Sequence, residues 1–204
     1  MEEYDLVPTL WLEDNSSRPF RVSGGAVYEL PFGARKPMLQ KGLAASLAGG
    51  WQLAGTFEYQ PGSLLTFGNL FFYGNTGDIK KSTPEIALNA DGTLDATKYW
   101  FNIANFERDT AKTPTSFQTR AFPFQIDGLR GPGLTYTNIN FSRSFSAGGN
   151  RVVQARFDIQ NLFNYAAFNN PNTDPTNTNF GKVTTAVAAA GAMRFFNFVV
   201  KFTF

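Results

Sequence analysis

The stretch Met193–Phe204, MRFFNFVVKFTF, is the last hydrophobic run of the chain. Phe196, Phe198, Val200, Phe202 and Phe204 fall on one parity; Phe195, Asn197, Val199, Lys201 and Thr203 fall on the other. A period of two marks a β-strand with two different faces. Chain ends usually fray into water, so a strand that finishes on an aromatic ring needs a physical reason.

Four other segments alternate in the same way. In FRVSGGAVYEL (Phe20–Leu30), Phe20, Val22, Ala26, Tyr28 and Leu30 oppose Arg21, Ser23 and Glu29. In GWQLAGTFEYQ (Gly50–Gln60), Trp51, Leu53, Phe57 and Tyr59 oppose Gln52, Thr56, Glu58 and Gln60. In GLTYTNINFSRSF (Gly133–Phe145), Ile139, Phe141 and Phe145 oppose Asn138, Asn140, Ser142 and Ser144. In RVVQARFDIQNLF (Arg151–Phe163), Val153, Ala155, Phe157, Ile159 and Phe163 oppose Gln154, Arg156, Asp158 and Gln160.

Composition narrows the chemistry. The 204 residues include no cysteine and no histidine, and phenylalanine is over-represented at 22 copies. Disulfides and thiolate metal sites are thereby excluded. The missing imidazole argues against Ser-His-Asp hydrolases, zinc enzymes and cysteine proteases. A net charge of +2 with scattered basic residues is no nucleic-acid stripe. No run of about 18 apolar residues predicts a transmembrane helix, and the acidic start MEEYDLVPTL lacks the basic n-region of a signal peptide. Composition alone points to a cytoplasmic globular protein; the periodicity points elsewhere.

Shorter and longer connections alternate. PFGARKPMLQKGLAASLAGG (Pro31–Gly50) has room for a short helix, and SAGGN (Ser146–Asn150) is a tight turn with two glycines able to take positive φ. The stretch from about Phe67 to Pro132, and the stretch Asn164–Gly191, are long and polar. In an up-and-down meander, alternate links lie at opposite ends of the sheet. One end therefore carries tight turns and the other long loops, as in transmembrane β-barrels with short periplasmic turns and long outer loops. Each segment is close to the 9–11 residues, roughly, that a tilted strand needs to cross the hydrocarbon layer. Aromatic residues gather at segment ends (Tyr28, Trp51, Tyr59, Phe145, Phe163, Phe204). Alternation alone leaves a soluble sandwich or barrel open, with the apolar face turned inward.

The order of several strings carries a resemblance. RPFRVSGGAVYELPFG followed by LAGGWQLAGTFEYQPGSLLTF, then LRGPGLTYTNINFSRSF, ARFDIQNLFNYAAFNNPN, FGKVTTA and the aromatic-final strand resemble TonB-dependent outer-membrane transporters of the Oar-like group. KYWFNIANF (Lys98–Phe106) resembles a recurrent piece of their long outer loop. The likeness runs from about Arg18 to Phe204. It implies a bacterial outer-membrane location, an all-β antiparallel meander of five or six strands forming part of a large barrel, and no catalysis or cofactor. It makes Phe204, with Phe202, an insertion signal read by the barrel assembly machinery. Phe196, Phe198, Val200, Val153, Phe157, Ile159, Ile139 and Phe141 then face outer-membrane lipid. Gln154, Arg156, Asp158, Gln160, Asn138 and Asn140 face the lumen.

Such transporters carry a plug and a barrel of about 22 strands, whereas even the smallest single-chain barrels have eight. The expectation is that residues 1–204 are the C-terminal portion of such a barrel, with 1–19 an outer-loop remnant and 20–204 strands, turns and loops. The remaining barrel and plug, and through the plug TonB, would be its partners. The fragment would transport nothing alone, and the solute class stays open. The competing reading is a soluble all-β carbohydrate-binding module.

The remaining motifs are weak. NADGTLD (Asn89–Asp95) spaces oxygens like half a calcium loop, but Trp100 stands where the bidentate Glu belongs. GLRGPG (Gly128–Gly133) lacks the Lys-Ser/Thr of a phosphate loop and reads as the approach to a strand. Glu107 and Asp109 could be imagined as glycosidase acids, but sit in a polar loop with no apolar pocket. Tyr73, Tyr99, Trp100 and Phe101 are candidates for ligand stacking in the outer loops, with loop self-packing as the alternative.

Overall fold

The protein is described by a computed structural model covering residues 13–14, 16–115, 118–146, 148–187 and 193–204. Strand β1 spans Val22–Glu29, helix α1 Gly42–Ala48, β2 Trp51–Gln60 and β3 Leu64–Thr66. Then follow β4 Gln125–Arg130, β5 Leu134–Ser146, β6 Val152–Gln160 and β7 Phe195–Thr203. The chain divides into two compact units, one made of Phe20–Gln60, Gly133–Ala167 and Ala186–Phe204, the other of Met1–Pro19, Pro61–Pro132 and Phe168–Thr185.

The first unit is an antiparallel sheet in the order β1-β2-β5-β6-β7. All five alternating segments of the sequence are its strands, and successive ones are neighbours. The all-β meander is therefore the observed fold. The sheet is not closed: among the described residues β1 and β7 are its edges. No helix among those residues is long and apolar enough to cross a membrane, which says nothing of crossing by strands.

Register aligns the apolar positions into rows. Tyr28 pairs with Leu53, Leu53 with Phe141, Phe141 with Phe157 and Phe157 with Phe198. A second row runs Ala26, Gly55, Ile139, Ile159, Phe196, and a third Phe145, Val153, Phe202. A slip of one residue between any two strands would send half of each row to the opposite face. Strand β5 is the longest. It pairs with β2 through Leu134–Arg143 and with β6 through Ile139–Ser146.

The short links behave as the turn chemistry requires. Gly148 and Gly149 take positive φ, and the N–H of Arg151 returns to the carbonyl of Gly148. At the other end, β6 stops at Gln160, three residues sooner than an unbroken alternation through Phe163 implies. Asn161 (φ 50°) and Asn164 (φ 55°) turn the chain left-handed, a conformation Asn tolerates better than most residues. Asn161 is buried; its side chain accepts from the Tyr165 N–H at 3.0 Å and donates to the Tyr165 carbonyl at 2.9 Å. Phe163 is thus a turn residue, not part of the strand's apolar face.

The second unit corrects the reading of the long links as plain loop. Segment 67–132 contains β4, which pairs with the short β3 just before it. A phenylalanine-rich core of Leu65, Phe67, Leu70, Ile79, Phe101, Phe106, Phe122, Leu129 and Phe180 fills this unit. Its rings meet mostly edge to face, as aromatic quadrupoles prefer; Phe101 and Phe180 lie at 75° with centroids 5.4 Å apart. Backbone bonds tie segment 168–185 to segment 61–132: Trp100 N–H to Gly181 at 2.7 Å and Leu88 N–H to Val183 at 3.2 Å. The Arg120 guanidinium adds bonds to the carbonyls of Phe67, Gly68 and Phe122. Gly62 and Gly131 approach so closely that a Cβ on Gly62 would lie 1.9 Å from the Gly131 oxygen.

Of residues 1–19, residues 1–12 and 15 lie outside the described residues. Glu13 forms an ion pair at 3.0 Å with Arg130 of β4.

Phe101→Ala is expected to destabilise the second unit by about 3–5 kcal/mol through the cavity it leaves. The readout is the opening free energy of the Trp100 amide by hydrogen exchange. Phe198→Ala should leave that value unchanged.

Candidate functional site

The two faces of the sheet are chemically distinct. On one, the predicted lipid-facing set forms the aligned rows. The β7 members are bare, with Phe198 66% exposed, and Ile139, Phe141, Val153, Phe157 and Ile159 are half-buried among their neighbours in the row. Phe202 and Phe204 stand exposed at the short-link end, their rings 5.9 Å apart. A soluble sandwich seals such residues between layers; among the described residues of this unit no second layer covers these.

The opposite face carries the predicted lumen set, built as a hydrogen-bonded array. Asn138 accepts the backbone N–H of Asn161 at 2.9 Å and reaches Thr56 at 3.4 Å. Asn140 of β5 bonds to Asp158 of β6, directly across the ladder, and Arg156 donates to the other oxygen of Asp158 at 3.1 Å. Gln154 stands opposite Ser144 and Lys201, and Gln160 opposite Phe195. Arg21 and Glu58 extend the polar array to β1 and β2 at 2.6 Å. Val27, Phe195 and Val199 also lie on this parity, so the face is mixed rather than wholly polar.

Sequence reasoning passed over one residue. Arg143 shares its parity with Ile139, Phe141 and Phe145, placing a cation on the apolar face at the short-link end. It is legible once the strand is laid out residue by residue.

In the second unit the four aromatic candidates part company. Phe101 is 0% exposed and belongs to the core, so it cannot stack on a ligand. Trp100 packs against that core and donates its indole N–H to the Arg130 carbonyl at 2.7 Å. The ring of Tyr99 lies under the Lys182 ammonium, 5.2 Å from the centroid. Tyr73 is exposed, and its hydroxyl donates to Glu107 at 3.2 Å.

Glu107 does line a cleft, of about 150 Å³, with Leu70, Phe71, Pro114, Asp174 and Pro175 among its walls. The expectation is of no apolar pocket to raise its pKa, and the cleft does not raise it. The electrostatics oppose a general acid. The Asp109 backbone N–H holds the Glu107 carboxyl below its usual range; Lys112, the Tyr73 hydroxyl and the Arg108 N–H act the same way, against partial desolvation. A glycosidase proton donor needs a raised value. In NADGTLD, the Asp91 carboxylate accepts the hydroxyl and backbone N–H of Thr93, and Asp95 those of Thr97. These are self-closed Asx turns. GLRGPG begins inside β4, and Gly131 continues the ladder by donating to the Ser63 carbonyl at 2.9 Å.

Bare apolar rows on one face, hydrogen-bonded amides and charges on the other, and links short at one end and long at the other define a transmembrane β-barrel sheet. A family model described as an outer membrane beta barrel domain matches residues 10–197, and the chain belongs to that family. It is an outer-membrane protein of bacteria. No curated protein and no solved structure matches it.

Because its folded value is depressed, Glu107 lends stability that is present above the unfolded carboxylate range and lost as pH falls through the folded value. The Asp109 amide should titrate by NMR with a midpoint below the ordinary glutamate value of 4.5. A midpoint above it would revive the proton-donor reading.

Proposed function

We propose that this chain is the C-terminal portion of the barrel of an Oar-like TonB-dependent transporter, which takes up a large solute across the outer membrane. The observation that carries this reading is the order of its strings from Arg18 to Phe204, laid on five strands that leave an open sheet. An open edge in hydrocarbon leaves each unpaired N–H and C=O several kcal/mol, roughly, out of balance. Strands β1 and β7 therefore pair with further barrel strands. The remaining barrel, a plug and, through the plug, TonB are the partners in this reading. Nucleic acid, catalysis and cofactors have no part in it. Transport is not expected of these five strands alone.

The soluble carbohydrate-binding alternative is disfavoured, because it leaves Phe196, Phe198, Val200 and Phe202 in water. Moving such a side chain into an apolar phase is worth about 1.5–3 kcal/mol each. In a transporter the long links are the outer loops. The exposed Tyr73 and the Glu107 cleft are then the available solute contacts.

The coding DNA upstream of Met1 decides the matter. In-frame barrel strands and a plug domain are expected there; a promoter with no such sequence would overturn the reading. Removing Phe204 should reduce the membrane-assembled fraction several-fold in cell fractionation, and Phe204→Tyr should restore most of it.

A further inference from the structure

The link between β1 and β2 bears an apolar surface that neither the sheet nor the loops account for. Helix α1 has no buried residue. Leu43 and Leu47, one turn apart on the same side, are 83% and 73% exposed, and Met38 and Leu39 just before the helix are exposed too. Arg35 and Lys41 stand among them, also exposed, and the helix itself carries no charge.

Two side chains fix where this surface lies. The Trp51 indole N–H donates to the Leu47 carbonyl at 3.0 Å. The Arg143 guanidinium donates to the same carbonyl at 2.7 Å and to the Ser46 carbonyl at 2.5 Å. Trp51 and Arg143 are cross-strand partners, and both belong to the apolar parity of the sheet. The last carbonyls of α1, which have no partner within the helix, are therefore gathered onto the lipid side rather than the lumen side. Arg143 also lies over the Phe145 ring, 4.3 Å from its centroid. A cation on an apolar face is costly in hydrocarbon and tolerable at the headgroup level, where its partners are polar.

We propose that α1 and the residues leading into it form an interfacial anchor. Leu43 and Leu47 insert into the boundary between headgroups and acyl chains of the leaflet at the short-link end, and Arg35 and Lys41 meet lipid phosphates. By the rule that the short turns of such barrels are periplasmic, this is the inner leaflet of the outer membrane. The occupant is lipid because the leucine surface continues the lipid-facing side of the sheet through Trp51 and Arg143. Apart from the Glu29–Lys36 ion pair at 2.6 Å, its flanking charges, Arg35 and Lys41, are of one sign, opposite to that of phosphate. The inference rests on the apolar rows meeting lipid, and the test separates the two.

The chain has no cysteine, so single thiols can be introduced one at a time and labelled with an environment-sensitive fluorophore. The whole barrel that the proposed function requires, this chain together with its remaining strands and with any cysteine outside the chain replaced, is reconstituted in phosphatidylethanolamine–phosphatidylglycerol vesicles carrying spin-labelled lipid as quencher. Labels at Leu43→Cys and Leu47→Cys are expected to emit blue-shifted and to be quenched most by shallow spin labels. Phe198→Cys should be quenched by deep ones, and Ser82→Cys in the second unit by neither. A water-exposed label at Leu43→Cys alongside a quenched Phe198→Cys overturns the anchor and leaves the barrel reading standing. A blue-shifted but unquenched Leu43→Cys overturns it in favour of a protein surface covering the helix. An unquenched Phe198→Cys overturns both.

Discussion

Backbone hydrogen bonding in a medium without water is the constraint on which this structure depends. Every N–H and C=O that enters hydrocarbon must find a partner within the protein. Here β2, β5 and β6 find theirs on both sides. That pairing settles the register, and the register brings Tyr28, Leu53, Phe141, Phe157 and Phe198 into one row. The rows are a consequence of the ladder, and the same ladder delivers Asn140 and Asp158 to each other on the far face.

The second unit solves a different problem. Its connections are long enough to bury apolar surface of their own, and they do so around Phe67, Phe101, Phe106 and Phe180. The folding energy of this unit thus comes from the ordinary hydrophobic effect, whereas that of the sheet depends on the solvent around it. Polar groups in the loops are spent locally: Asp91 on Thr93, Asp95 on Thr97, Asp109 on its own 3-10 turn. Glu107, with Tyr73 beside it, shares its cleft with Asp174.

Much of the sheet was legible in the sequence, for a reason visible in β6. Val153, Phe157 and Ile159 meet a different solvent from Gln154, Arg156 and Asp158, and a period-two environment writes a period-two sequence. The core of the long links obeys no period. Phe101 looked like a surface aromatic because its neighbours Asn102 and Asn105 are polar and nothing local says that Phe180 will pack against it. Strand β4 was hidden in GLRGPG because its glycines read as loop. Phe163 was misassigned because alternation ran on through a turn whose two asparagines adopt left-handed backbone. Arg143 was missed for the opposite reason: the pattern was strong enough that an exception to it went unread.

The uneven pairing of β5 has a geometric consequence. Its bonded zone on the β6 side begins five residues beyond that on the β2 side, at Ile139 instead of Leu134. A shift of this kind is shear, and a sheared sheet can curl only if its strands lean from the axis of curvature. The interfacial rings record that lean: Trp51 sits opposite Arg143, Phe145 lies two residues further along β5, and Phe204 two residues past Phe202 in the row of Phe145. Each step moves the aromatic two residues along its strand, the offset that a girdle of one depth requires where strands are tilted. A belt of constant height is thus drawn as a diagonal across the sheet.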